Sequence, residues 1–206
     1  MTSFNLRRSA PAALLASVLA VSVLAGCATS PPRSTAAVAP YRDSIELGGG
    51  IAVNYTRDGK AEPMTGSFTW HQSKAATEVT LISPLGQTIA VISVTPESAT
   101  LKQGGKPPRT APDLDSLTAQ TLGWTLPVSG LREWLQGYAT DAGGKRFVAS
   151  PANNTVVTRD GWKIEYVTWQ DDTAAVPQPK RIDLTRLGAG QVDDLTIRIA
   201  IRPNAE

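Results

Sequence analysis

One cysteine, Cys27, and one histidine, His71, are all the thiol and imidazole that 206 residues supply. A zinc site takes about four ligands, mostly Cys and His, and a Ser–His or Cys–His pair needs a base beside its nucleophile. Neither can be assembled here, and no metal or cofactor is expected. His71, next to Trp70 in strand-like sequence, reads as solvated or locally hydrogen-bonded. The carboxylate pairs Asp171-Asp172 and Asp193-Asp194 would serve acid–base chemistry only by converging. Neighbours on a strand point to opposite faces, so both pairs read as solvated charges in loops or at strand ends. Gly48-Gly49-Gly50 precedes a strand rather than a helix and fits no phosphate-binding pattern; a bulge or a close backbone approach accounts for it. The side-chain chemistry points away from an enzyme.

The setting of the cysteine is more telling. Arg7 and Arg8 precede an apolar run from Ala12 to Leu24, broken only by Ser17 and Ser22 and closing on Leu24-Ala25-Gly26-Cys27. Shorter than the roughly 20 residues of a membrane span, it has the order of an export signal. With Cys directly after Ala25-Gly26, the segment resembles the bacterial lipoprotein signal. That resemblance implies cleavage before Cys27, diacylglycerol on its sulfur and a palmitoyl-type chain on its new amino group. The plainer alternatives are an ordinary secretory signal or a buried thiol. Several acyl chains, at about 0.8 kcal/mol per buried CH2, hold a protein on a bilayer where one does not. Ala28 stands where such lipoproteins carry Asp for inner-membrane retention, which implies the outer membrane.

Residues 1–26 are thus a signal peptide, 27–40 a lipid-anchored flexible tether rich in Pro, Ser, Thr and Ala, and 41–206 one domain. Removing Arg7 and Arg8 with the signal turns twenty Lys and Arg into eighteen, against eighteen Asp and Glu. A near-neutral domain without a basic run has no footprint for nucleic acid and little for an anionic membrane surface, so attachment is expected from lipid.

The elements that must position any site are mostly strands. Leu195 to Arg202 alternates apolar and polar residues, placing four aliphatic side chains on one sheet face. Ile182 and Leu184 flank Asp183 in the same rhythm, and Trp162, Ile164 and Tyr166 share a face. Further strands are predicted over Ile45–Thr56, Met64–Gln72, Ala76–Ser83, Gln87–Thr95 and Ser98–Gln103. Turns fall at Asp58-Gly59, Pro84-Leu85-Gly86 and Arg159-Asp160-Gly161, the Asp-Gly pairs suiting tight hairpins with two positive φ angles. Two helices interrupt: one capped by Asp113 or Asp115, carrying Leu114, Leu117 and Leu122, and one capped by Ser129, carrying Leu131, Trp134, Leu135 and Tyr138. Strands on either side of a helical pair predict an antiparallel sheet curled around them.

Five tryptophans, at 70, 124, 134, 162 and 169, are a generous supply for a domain without catalytic groups. They suit either core packing or the wall of an apolar cavity. The runs Ser67-Phe68-Thr69-Trp70, Leu81-Ile82-Ser83-Pro84-Leu85-Gly86, Leu122-Gly123, Leu126-Pro127-Val128, Leu131 to Gly137 and Gly161 to Tyr166, in that order behind the signal, resemble the LolB family of outer-membrane lipoprotein receptors. The resemblance implies a monomeric, non-enzymatic, mainly β protein: an incomplete, half-open antiparallel β-barrel whose short helices plug a hydrophobic cavity. It implies a chaperone in lipoprotein transport, anchored on the periplasmic side of the outer membrane, that takes lipoproteins from the periplasmic carrier LolA and inserts them into the bilayer. Phe68, Trp70, Leu131, Trp134, Trp162, Ile164 and Tyr166 are then expected to line the acyl-chain cavity, and Leu85 to be the protruding cargo-insertion residue. One departure stands out: Gly49-Gly50 is followed by Ile51 where the family commonly has Arg after Gly. The alternative is a lipid-anchored assembly protein whose barrel is filled by its own aromatics and binds a protein partner.

Overall fold

The alternation that dominates the sequence becomes one large sheet. A computed structural model describes residues 33–114, 116–118, 127–186 and 193–202. In chain order these form β1 (Ile45–Arg57), β2 (Lys60–Gln72), β3 (Thr77–Ile82), β4 (Thr88–Val94), β5 (Ala99–Gln103), β6 (Arg109–Ala111), helix α1 (Val128–Trp134), β7 (Tyr138–Thr140), β8 (Arg146–Val148), β9 (Thr155–Val157), β10 (Trp162–Trp169), β11 (Pro179–Arg186) and β12 (Asp193–Ile201). Ten strands pair in the order β6-β5-β4-β3-β2-β1-β12-β11-β10-β9, all antiparallel, while β7 and β8 pair separately. The sheet is open, with β6 and β9 at its two edges, so the mainly β, unclosed antiparallel architecture is as expected. No described helix is long and apolar enough to cross a membrane.

Side-chain parity divides the faces. Leu195, Ile197, Ile199 and Ile201 of β12 are buried, as are Ile182 and Leu184 of β11 and Phe68 and Trp70 of β2, and these define the inner face. On the outer face Arg198 and Arg181 converge on Asp183.

The strands run further than their apolar content suggests. Asp58 and Gly59 both have positive φ, 51° and 73°, the two-residue turn that fits a twisted hairpin, so β1 and β2 extend to its flanks. Pro63, which sets the expected start of β2 at Met64, is tolerated because β3 stops at Ile82 opposite Ser67 and leaves that stretch of β2 unpaired on one side. At 159–161 the expected two positive φ angles are replaced by one. Gly161 alone is left-handed, at 79°, and donates to the Thr158 carbonyl at 3.1 Å; Asp160 stays in ordinary space because the loop is one residue longer.

The helices also differ. Asp113 caps, accepting from Ser116 N at 2.7 Å; Asp115, the other candidate, and the residues after Thr118, including Leu122, lie outside the described segments. α1 starts at Val128 with Pro127 at its N-cap and no side-chain cap, leaving Ser129 inside the helix. It stops before Gly137, whose φ is 85°, so Tyr138 opens β7 rather than closing a helical face.

Of the three glycines in β1, Gly49 is the one that close packing requires. A Cβ there would sit 1.9 Å from the carbonyl oxygen of Ala200 on β12 and 3.0 Å from the Phe68 ring. Backbone approach, not phosphate binding, requires it.

The segment expected to be a free tether up to Pro40 is laid on the domain from residue 33. Ala152 N donates to the Ser34 carbonyl at 3.0 Å, Val38 N to that of Ala149 at 3.1 Å, and Val38 is buried against Gly137. Its composition is that of a linker, but the valine finds an apolar seat that only Gly137, lacking a Cβ, leaves open. Cys27 lies outside the described residues.

Candidate functional site

The site is assembled from the inner face of the sheet and the helix laid across it. Ile51, Phe68, Trp70, Val79, Leu81, Ile197 and Ile199 present a continuous apolar floor from four neighbouring strands. Val128, Leu131 and Leu135, at helical spacing on one side of α1 and its C-cap, close over it. Every described residue around the void between them is apolar, and its volume is about 30 Å3. That is space for roughly one water molecule, far short of an acyl chain. Leu135 also lines a second hollow, a cleft of about 400 Å3 between residues 38–42, the 177–179 loop and the ends of β1 and β12. The side chain of Leu135 therefore stands between a dry void and an open cleft.

Polar groups around the rim hold α1 in place. Arg132 reaches from the helix to the β2–β3 turn, donating to the Ser73 carbonyl at 2.7 Å, to the Ala76 carbonyl at 3.4 Å and to Thr77 Oγ1. Gln136 exchanges two hydrogen bonds with the backbone of Arg42, at 2.9 and 3.0 Å. Tyr138 Oη donates to the Ala39 carbonyl at 2.7 Å, and its ring meets Tyr41 edge-on at 6.1 Å. Tyr41 Oη accepts from buried Gln72, which in turn accepts from Trp70 Nε1 at 3.2 Å. A chain of side chains thus runs from the floor of the void to the laid-down N-terminal segment.

The seven residues expected around the cavity fall into two groups. Phe68, Trp70 and Leu131 border the void. Trp162, Ile164 and Tyr166 share the buried sheet face but pack beside the void, because parity along a strand fixes the face and not the position on it, and Trp134, at the end of α1, packs against Trp162. Trp134 and Trp162 lie 6.1 Å apart, with Arg186 over the Trp162 ring at 5.7 Å, and both line a shallow cleft with Asp160. Tyr166 donates from Oη to the Trp134 carbonyl at 3.0 Å, pinning the C-terminal end of α1. Burial, and after it the charge of Glu133, pushes that phenol well above its usual range, so it stays a neutral donor.

Leu85 is where its neighbours suggest. It caps the β3–β4 turn with 88% of its surface exposed, the most exposed large apolar residue among those described. The turn is stiff: Gly86 N donates to the Ser83 carbonyl at 2.9 Å, Ser83 N to that of Gln87 at 2.8 Å, Gln87 N to Ser83 Oγ at 3.1 Å, and Gly86 takes φ of 80°. Nothing local covers the leucine.

The candidate catalytic groups do not converge. His71 is exposed and 3.4 Å from Glu46 on the outer face. Asp171 caps its own loop, accepting from Thr173 N and Oγ1, which hold its carboxyl below the usual carboxylate range. No group of three or more potential metal ligands occurs among the described residues. Arg132, Gln72 and Gln136 are the residues that the sequence left without a role. Arg132 and Gln136 sit inside the Leu131–Gly137 run, but their partners off the helix are 55 to 94 residues away, and the Tyr41 partner of Gln72 is 31 away.

The family model described as "Outer membrane lipoprotein LolB" matches residues 43–203. Proteins named outer-membrane lipoprotein LolB from Cupriavidus taiwanensis and Cupriavidus necator are 38% and 39% identical, covering 88% and 83% of this chain and 91% and 89% of their own. A crystal structure of a LolA-superfamily protein from Nitrosomonas europaea aligns over 79% of this chain and 86% of its own at 9% identity, with a TM-score of 0.43.

Proposed function

The chain belongs to the LolB family of outer-membrane lipoproteins, and from that premise we propose that it receives lipoproteins from a soluble LolA-type carrier and inserts them into the outer membrane. The observation that carries the proposal is the wholly apolar void under α1. An acyl chain needs a dry wall and no catalytic group, and here a floor of four strands supplies one beneath a short cover that can be displaced. In this reading α1 lifts, Leu135 leaves the boundary, and the void joins the adjoining cleft to make room for lipid.

Direction requires only that acyl-chain affinity rise from carrier to receptor, with the membrane as final sink. At about 25 cal/mol per Å2 of apolar surface, small differences in burial suffice, so no nucleotide or other energy source enters. Anchorage at Cys27 keeps the receptor at the bilayer, and Leu85 on its stiff turn meets the headgroup region when cargo is released.

The test is transfer of cargo from loaded carrier to the purified protein, followed by insertion into liposomes. Tryptophan emission should shift on acceptance, because Trp70 borders the void. Cargo that stays on the carrier at micromolar receptor, with unchanged emission, would return the chain to the filled-barrel alternative. Metabolic labelling with a palmitate analogue should mark the wild type and miss Cys27→Ser.

A further inference from the structure

From Val79 to Pro96 the chain carries no charged residue; from Ser98 to Pro112 it carries three cations, Lys102, Lys106 and Arg109, and no acid. The sheet places the two stretches side by side. β4 pairs with β3 on one side, Ile82 opposite Thr88, and with β5 on the other, Ala90 opposite Gln103. The Leu85 turn and the β5–β6 turn, in which Lys106 N donates to the Gln103 carbonyl at 3.2 Å, therefore leave the same end of the sheet. Register also fixes the faces. Ala90 and Ile92 point inward and are buried, so Val91 points outward, opposite Lys102; Ile89 sits where the β3–β4 register shifts, at the head of β4, and Arg109, opposite buried Leu101, stands on the inner face of the edge strand β6 at the same end. Leu85 and Ile89 are 88% and 37% exposed, and Lys102, Lys106 and Arg109 are all exposed.

We propose that these five residues form one membrane-contact patch across this end of the sheet, Lys102 from its outer face and Arg109 from its inner: Leu85 and Ile89 enter the headgroup boundary while Lys102, Lys106 and Arg109 hold anionic lipid headgroups. This rests on the membrane-delivery reading above. The chemistry favours a bilayer over an acidic protein. Protein interfaces are depleted of lysine and of charge at their cores, whereas here an uncharged hairpin with a protruding apolar tip is flanked on one side by cations, the arrangement of a surface that wets lipid and headgroup together. Neutrality of the whole domain does not oppose this, because screening confines each charge to about a Debye length.

The experiment uses the lipid-anchored protein in vesicles of phosphatidylcholine, alone or with phosphatidylglycerol. A cysteine introduced by Gly104→Cys carries an environment-sensitive dye; a Cβ there meets nothing within 4 Å, and the native sulfur is blocked by its lipid. With phosphatidylglycerol the dye emission should shift to the blue and be quenched by brominated lipid. Lys102→Gln, Lys106→Gln and Arg109→Gln combined should abolish the shift and slow cargo insertion at least about tenfold, each cation contributing up to about fivefold, while acceptance from the carrier stays unchanged. The same dye response in the triple variant, or in phosphatidylcholine alone, overturns the proposal. So does loss of acceptance with membrane contact retained, which would assign the cations to the carrier. A wild type that contacts anionic vesicles but inserts no cargo would instead refute the delivery reading and leave the contact patch standing.

Discussion

Arg132 Nη2 lies 2.7 Å from the carbonyl oxygen of Ser73, so a charged side chain on the covering helix is fastened to a turn at the far end of β2. With Tyr166 Oη on the Trp134 carbonyl at 3.0 Å, this polar clasp fixes the helix to the sheet at two separate points.

Arg132→Met keeps the aliphatic stem and removes the clasp. Hydrogen bonds from a charged donor contribute about 1.5–3 kcal/mol when well shielded, and this one is partly exposed, so a loss of about 1–2 kcal/mol is expected from the urea midpoint. An apolar fluorescent dye should bind the variant more tightly than the wild type. Unchanged dye binding would show that the clasp does not restrain the cover.

Leu85→Glu should leave stability within about 0.5 kcal/mol, as changes at exposed sites usually do. The variant is expected to accept lipoprotein from the carrier and release it poorly into liposomes. Thermal melting, acceptance and insertion measured on one preparation separate this from a folding defect, and normal insertion would remove Leu85 from delivery.

Gly49→Ala should be among the most damaging single methyl additions in the chain. Its Cβ would lie 1.9 Å from the Ala200 carbonyl oxygen, whereas the nearest atom to a Cβ at Gly48 is 3.6 Å away. Forcing β1 from β12 is expected to cost about 3 kcal/mol or more, while Gly48→Ala should stay within about 0.5 kcal/mol. Chemical denaturation of the pair checks the contrast.

Asp183 sets an acid-side dependence. The hydrogen bonds from Arg181, at 2.6 and 2.9 Å, and then Arg198 hold its carboxyl below the ordinary carboxylate range. A folded pKa below the unfolded one gives stability that is complete above the unfolded value near 3.9 and is lost as pH falls through the folded value. Asp183→Asn should be less stable than wild type at pH 7, and the gap should narrow below about pH 4. A gap that widens on acidification would mean the aspartate is not the stabilised anion.

Legibility in the sequence followed the range of the interactions. The four buried aliphatics of β12 and the exposed leucine between Pro84 and Gly86 depend on neighbours a few residues away, and the period and turn chemistry gave both directly. Gly49 was readable as a close approach, though not what approaches it. Trp162 has the buried face that its period implies but not a place beside the void, since distance along a sheet depends on strand stagger, and Trp134 on α1 goes with it as its ring partner. Val38 was hidden altogether: its seat on Gly137 joins segments 99 residues apart, and nothing in the composition of a linker announces such a dock. The Arg132 clasp was missed for the same reason.

The void under α1, at about 30 Å3, also bears on the heat of binding. If α1 lifts as proposed, Val128, Leu131 and Leu135 give up to the acyl chain the floor they now cover, and the helix acts as a resident competitor. Loading trades contacts the protein makes with itself for contacts with cargo. The heat-capacity change on loading should then be much less negative than burial of the same chains in an empty, hydrated pocket would give, and the affinity is a difference between two nearly matched apolar interfaces. A receptor built this way can hold its passenger without becoming its last resting place.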